Sequence, residues 1–107
     1  MIEIREYVDE KDRNPFKKWR EALDDVARAR VTTALLRLEE GNLSRVKSVG
    51  HGVSELKIDF GPGYRVYFGQ DGTTLILLLA GGTKKRQQAD IANAQERWSD
   101  YKRRKRV

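Results

Sequence analysis

Hydrophobic residues between positions 15 and 24 recur at the spacing of a helix. The helix is predicted to begin at Asn14-Pro15, because Asn caps helices well and Pro in the first turn loses no hydrogen bond. Phe16, Trp19 and Leu23 then form a short apolar stripe. The pattern predicts a short amphipathic helix.

A second helix is predicted directly after the first, because Asp24-Asp25 interrupts the stripe and supplies a new N-terminus. Its apolar positions again follow helical spacing: Ala27, Val31, Ala34, Leu35 and Leu38. Gly41-Asn42 provides a C-terminal stop. We expect the two helices, joined so closely, to form an antiparallel hairpin.

The hydrophobic period changes to two in the second half of the chain. In the segment 54–60, Leu56, Ile58 and Phe60 alternate with charged residues, which predicts a strand. The Gly-Pro-Gly turn at 61–63 follows, and the next predicted strand, 64–68, places its apolar residues on the same face. The pattern predicts a β-hairpin.

The remaining elements complete an α+β fold. Residues 2–8 alternate as a short first strand, and the unbroken apolar run at 75–79 is typical of a central strand covered on both faces. Gly81-Gly82 ends that strand. The stripe of the last helix is Ile91, Ala94, Trp98 and Tyr101. The predicted order is β-α-α-β-β-β-α, a small antiparallel sheet packed by an N-terminal helical hairpin and a C-terminal helix.

Four polar residues of the hairpin fall on the face opposite its apolar residues: Glu55, Lys57, Arg65 and Tyr67. Lys57 and Arg65 are like charges on adjacent strands, which is unfavourable unless an anion or the neighbouring acids Glu55 and Asp59 compensate. A solvated face and an anion site both remain open. Either way the side chain of Arg65 is expected to be exposed, so that its removal should cost little stability.

Composition and charge narrow the class of protein. The chain of 107 residues has no cysteine, which excludes disulfides and thiolate metal sites. Its net charge of +6 lies entirely in residues 84–107, which hold nine Lys/Arg against three Asp/Glu. This asymmetry suggests a polyanionic partner, nucleic acid or an acidic protein, and a solvated helix end with a frayed basic tail stands as an equal alternative. We expect a single domain at 1–101, a basic tail at 102–107 and a cytoplasmic location, since no signal peptide or membrane span is visible.

Two segments carry a family resemblance. The run G-V-S-E-L-K-I-D-F-G-P-G-Y-R-V-Y-F at 52–68 and the combination G-G-x-K-x-x-Q-x-x-D-I from Gly81 resemble the RelE/ParE toxin superfamily. More narrowly they resemble its HigB-like "addiction module killer protein" branch. The resemblance implies the fold described above and a type II toxin, held silent by a cognate antitoxin that is commonly a helix-turn-helix DNA-binding protein.

RelE-type relatives cut mRNA on the ribosome without a metal or other cofactor, and the resemblance implies the same chemistry here. The 2′-hydroxyl of the RNA attacks the adjacent phosphate, and the protein stabilises charge and moves protons. Arg65 would hold the phosphate. Lys57 and Lys84 would act in proton transfer, and Tyr67 would stack on a base or donate a proton.

Further residues are expected to bind RNA or to support the site. The expected RNA-binding residues are Lys85, Arg86, Tyr64, Lys102, Arg103 and Arg104. The expected supporting residues are Asp90, Gln88 and Glu55, with Asp90 as the partner of an arginine. The implied partners are therefore the antitoxin, the ribosome and mRNA, with no membrane.

Two alternatives stay open. A ParE-like gyrase poison binds a protein target and needs no phosphate chemistry, so the cation cluster favours the endoribonuclease. A catalytically inactive homologue would act only through antitoxin-bound repression of DNA.

Overall fold

The computed structural model describes residues 2–105, which form a five-stranded sheet with helices on both faces. The elements, in chain order, are β1 (Glu3–Glu6), α1 (Pro15–Glu21), α2 (Asp25–Glu39), β2 (Val46–Gly50), β3 (Val53–Ile58), β4 (Tyr64–Asp71), β5 (Leu75–Thr83), a 3-10 turn (Lys84–Arg86) and α3 (Gln87–Lys105). None of these helices is long and apolar enough to cross a membrane.

Helices α1 and α2 begin where the sequence predicted. The side chain of Asn14 accepts a hydrogen bond from the backbone N–H of Lys17 at 3.0 Å. Asp24 accepts one from Ala27 at 2.8 Å, so both caps satisfy an N–H that has no partner within the helix. After α2, Gly41 has a φ of +88°, the left-handed conformation that ends helices.

The strand order is β1-β5-β4-β3-β2, and neighbouring strands are antiparallel except for β1 and β5. β1 lies parallel to β5 because the chain crosses over through the two helices before the sheet resumes. The sequence did not predict β2. Its burial does not alternate cleanly, and a bulge between Ser48 and Gly50 breaks its register with β3.

Two cores lie on opposite faces of the sheet. The larger core packs three helix residues, Phe16 of α1 and Val31 and Leu38 of α2, against one face of the sheet. The strand residues of this core are Leu56, Ile58, Val66, Phe68, Ile76 and Leu78. The second packs α3 against the other face through Ala94 and Trp98, as the apolar stripe predicted.

The second core overturns one expectation. Residues 55, 65 and 67 do share one face, but that face is not solvated. Helix α3 covers it, and Glu55, Arg65 and Tyr67 are 1%, 6% and 0% exposed. Only Lys57, near the end of β3, remains exposed. Three of the four polar residues, Glu55, Arg65 and Tyr67, are therefore part of the protein interior.

Candidate active site

A buried ion pair links β3, β4 and the start of α3. The Arg65 Nε donates to Glu55 Oε1 at 3.1 Å, and its Nη1 donates to the carbonyl of Gly63 at 2.7 Å. The second carboxylate oxygen of Glu55 accepts from Gln87 Nε2 at 3.0 Å. Both oxygens of Glu55 are thus satisfied, as a buried carboxylate requires.

The hairpin register explains this arrangement. Lys57 lies opposite Arg65, and Glu55 lies opposite Tyr67, so Glu55 reaches Arg65 diagonally on one face. Lys57 has its own acid, with Nζ 3.7 Å from Asp59 Oδ1. The acids of the hairpin therefore compensate its two cations, one pair inside the protein and one at its surface.

The guanidinium of Arg65 retains one unused donor group. Within residues 2–105 its Nε and Nη1 make the bonds above, and no hydrogen bond from Nη2 is found. Two fixed donors orient the plane of the side chain, while the third nitrogen can still bind an anion. The two-nitrogen fork with which an arginine usually binds a phosphate is therefore not free here, and only Nη2 is available to an anion.

Tyr67 does not reach solvent. Its hydroxyl is buried and has no hydrogen-bond partner among the described residues. Burial raises the pKa of Tyr67 to about 12, with the charges of Glu55 and Asp90 adding to the shift. The phenol therefore stays neutral, and in this conformation it cannot stack on an RNA base.

Asp90 lies close to the sheet, against Gly82. A Cβ built on Gly82 would stand 2.0 Å from Asp90 Oδ2, so only glycine leaves room for this carboxylate. Burial raises the pKa of Asp90, although the charges of Arg86 and Arg97 oppose the shift. The predicted pairing of Asp90 with an arginine is not seen in residues 2–105, and the acid that pairs with Arg65 is Glu55.

The cations that remain exposed lie beside this buried pair. Lys84, Lys85 and Arg86 form the 3-10 turn between β5 and α3, and all three are exposed. Arg65 of β4 lies opposite Gly82 of β5, and the turn begins two residues after Gly82. Half-buried Tyr64 stacks on Phe60, with ring centroids 6.5 Å apart.

Gln87 is the contact that the sequence reasoning missed. Gln88, the glutamine named as a supporting residue, is exposed, whereas Gln87 binds Glu55. The signal was present in the spacing, because the glutamine of G-G-x-K-x-x-Q counted from Gly81 falls at position 87.

The basic end of α3 contacts its own chain. Arg103 and Arg104 pair with Asp100 at 3.1 and 3.0 Å, and Lys102 lies over the ring of Trp98 at 5.8 Å. Residues 102–105 are helical, and the last two residues of the expected tail, 106 and 107, lie outside the described residues. Part of the positive charge of this segment is therefore already paired with groups of the same chain.

Comparison with known proteins identifies the family. The model of the family "Phage derived protein Gp49-like (DUF891)" matches residues 18–99, a range that includes Glu55, Arg65 and Gln87. The chain belongs to this family. Gp49-like proteins form a RelE/HigB-like toxin-type family, so the resemblance read from the sequence is confirmed at that level. A toxin-type family also implies a cognate antitoxin as partner.

One relative is similar to this chain over most of its length. The Gp49-like chain is 41% identical, over 80 residues, to a protein of Haemophilus influenzae whose printed name is "Uncharacterized protein". The match covers 74% of this chain and 81% of the relative. The similarity therefore extends over most of both proteins.

Proposed function

We propose that this chain is the toxin of a type II toxin–antitoxin module and that it cleaves ribosome-bound mRNA. The observation that carries the proposal is Arg65, held by two bonds with one nitrogen unused, next to the exposed cationic turn at 84–86. The Gp49-like family supports the toxin assignment. The endoribonuclease chemistry and the narrower HigB-like relationship are the parts that we add.

In the proposed reaction the 2′-hydroxyl of one nucleotide attacks its own 3′-phosphate. The P–O bond to the next nucleotide breaks, leaving a 2′,3′-cyclic phosphate and a 5′-hydroxyl. Negative charge builds on the non-bridging oxygens, where the free nitrogen of Arg65 would stabilise it. Because Glu55 and Gly63 already hold the guanidinium, little reorganisation is needed when the charge develops.

Proton transfer falls to the exposed lysines. Lys84 and Lys57 are exposed on the surface around the hairpin, where RNA could reach them. Their amines are the groups that we assign to proton exchange with the bound RNA, which requires them to come within hydrogen-bond reach of it. Tyr67 is assigned a different role from the one expected, since its buried ring packs in the core between the sheet and α3 rather than contacting RNA.

Electrostatics would guide substrate to this surface. Lys85 and Arg86 extend the cationic turn, and Tyr64 offers part of an aromatic face beside it. A ribosome presents dense negative charge, so association should weaken as salt rises. The antitoxin, which we expect to be a helix-turn-helix protein, would keep the toxin silent in the cytoplasm.

Induction of the toxin without its antitoxin tests the proposal. Incorporation of labelled methionine should stop while DNA synthesis continues. Lys84→Ala should restore growth, whereas Lys17→Ala, which removes the same charge from an exposed position of helix α1, should not. Early loss of supercoiling and a DNA-damage response with translation intact would contradict the proposal and favour a gyrase poison.

A further inference from the structure

We propose that Gln87 is a positioning residue that holds the cationic turn in register with Arg65. This inference rests on the proposed function and deepens it. Gln87 is the first residue of α3 and directly follows the turn Lys84–Arg86. Its side-chain amide donates to Glu55, whose other oxygen accepts from Arg65, so one carboxylate joins the two parts of the site.

The carboxylate of Glu55 makes this link selective for a neutral donor at position 87. Glu55 is 1% exposed, so water does not replace a lost hydrogen bond. A carboxylate at position 87 would face that of Glu55 across about the same 3.0 Å, and two like charges in a buried site repel strongly. An apolar side chain at 87 would leave Glu55 Oε2 unsatisfied.

Few other side-chain bonds fix the turn. Thr83 occupies its N-cap position but makes no side-chain capping bond. The contact of Asp90 with Gly82 packs α3 against β5, but it carries no directional hydrogen bond that would set the turn's register. Among the described residues, Gln87 is therefore the side chain whose hydrogen bond joins the turn to the carboxylate that holds Arg65.

The link predicts a specific kinetic signature. Lys85 and Arg86 bind substrate phosphates in the ground state and in the transition state alike, so misplacing them should raise KM, and misplacing Lys84, the proposed proton-transfer residue, should lower kcat as well. Arg65 keeps its bonds to Glu55 and Gly63 when Gln87 is replaced. A purely structural role would instead reduce the folded fraction, lowering kcat per total protein with KM unchanged.

The test compares Gln87→Met, Gln87→Glu and a swap variant, Glu55→Gln/Gln87→Glu, in which the two residues trade places. In the swap variant, the new amide at position 55 can accept from Arg65 and donate to the new carboxylate at 87, so both hydrogen bonds and the net charge are retained. The matched control is Gln70→Met, which changes an exposed glutamine of β4. The measurements are amide hydrogen exchange of residues 83–91 in the free protein and cleavage of mRNA on programmed ribosomes.

Both single variants should accelerate amide hydrogen exchange in residues 83–91 by about tenfold or more, the factor expected for losing a hydrogen bond to a charged group. Both should raise KM severalfold. The swap variant should return the hydrogen-exchange rate and KM towards their wild-type values. Unchanged hydrogen exchange in Gln87→Met, or a fall in kcat with KM constant, would overturn the inference. If wild type cuts no mRNA, the proposed function fails. The role of Gln87 is then decided by hydrogen exchange alone: faster exchange in the single variants and a return towards the wild-type rate in the swap variant.

Discussion

Replacing Arg65 by alanine should lower the free energy of unfolding by about 3–5 kcal/mol, because it removes one partner of a buried ion pair and leaves the other charge uncompensated. Glu55 would keep only the bond from Gln87, in a site where it is 1% exposed. The total stability of a domain is about 5–15 kcal/mol, so much of the population could unfold. The exposed face expected from the sequence would have limited the loss to about 0.5 kcal/mol.

A double variant separates the fold from the chemistry. Glu55→Leu/Arg65→Met replaces both charges by apolar groups, a change that is commonly neutral or stabilising in buried pairs. Gln87 is only half-buried and can turn to water when it loses its acceptor. We expect the double variant to recover most of the stability that Arg65→Ala loses, but not the toxicity.

Urea unfolding followed by circular dichroism measures these differences. Arg65→Ala should move the midpoint down by more than about 1 M, given the usual denaturant dependence of small domains. Lys57→Ala provides the control on the same hairpin, since its side chain is 48% exposed and its ion pair lies at the surface. A midpoint for Arg65→Ala that matches the one for Lys57→Ala would refute the buried-pair reasoning.

Three further predictions follow from the contacts of the described residues. Tyr67→Phe removes a buried hydroxyl that has no partner, so it should raise the unfolding free energy by on the order of 1 kcal/mol, and a loss in a thermal melt would contradict this. The same variant should weaken alkaline destabilisation. The folded pKa of about 12 exceeds the ordinary 10, so wild type loses stability as pH rises through this window, and an unchanged pH slope would count against the burial of the phenol. Gly81→Ala should destabilise by about 1–3 kcal/mol because its Cβ would stand 2.1 Å from Trp19, and a urea midpoint equal to that of wild type would argue against this close packing.

Local signals in the sequence were sufficient for the helix starts and for the alternating faces of the hairpin. Asn14 and Asp24 cap α1 and α2 through their own side chains, so the sequence nearby determines these boundaries. The alternation of β3 and β4 likewise placed Glu55 and Arg65 on one face. These features depend on residues only a few positions apart.

Long-range contacts were not accessible in the same way. Alternation tells which residues share a face but not what covers that face, and the polar face proved to lie under α3. The hydrogen bond between Gln87 and Glu55 joins residues 32 positions apart. The parallel pairing of β1 with β5 joins the first and the last strand of the chain. The spacing of the glycine motif was the only sequence signal for Gln87.

Cleavage of a defined mRNA by the purified toxin, with and without ribosomes, tests the central claim most directly. Wild type should yield fragments with a 2′,3′-cyclic phosphate and a 5′-hydroxyl only when ribosomes are present, and Glu55→Leu/Arg65→Met should yield none although it is folded. Intact mRNA with wild-type toxin on translating ribosomes, or equal cleavage by the double variant, would contradict an arginine-centred endoribonuclease.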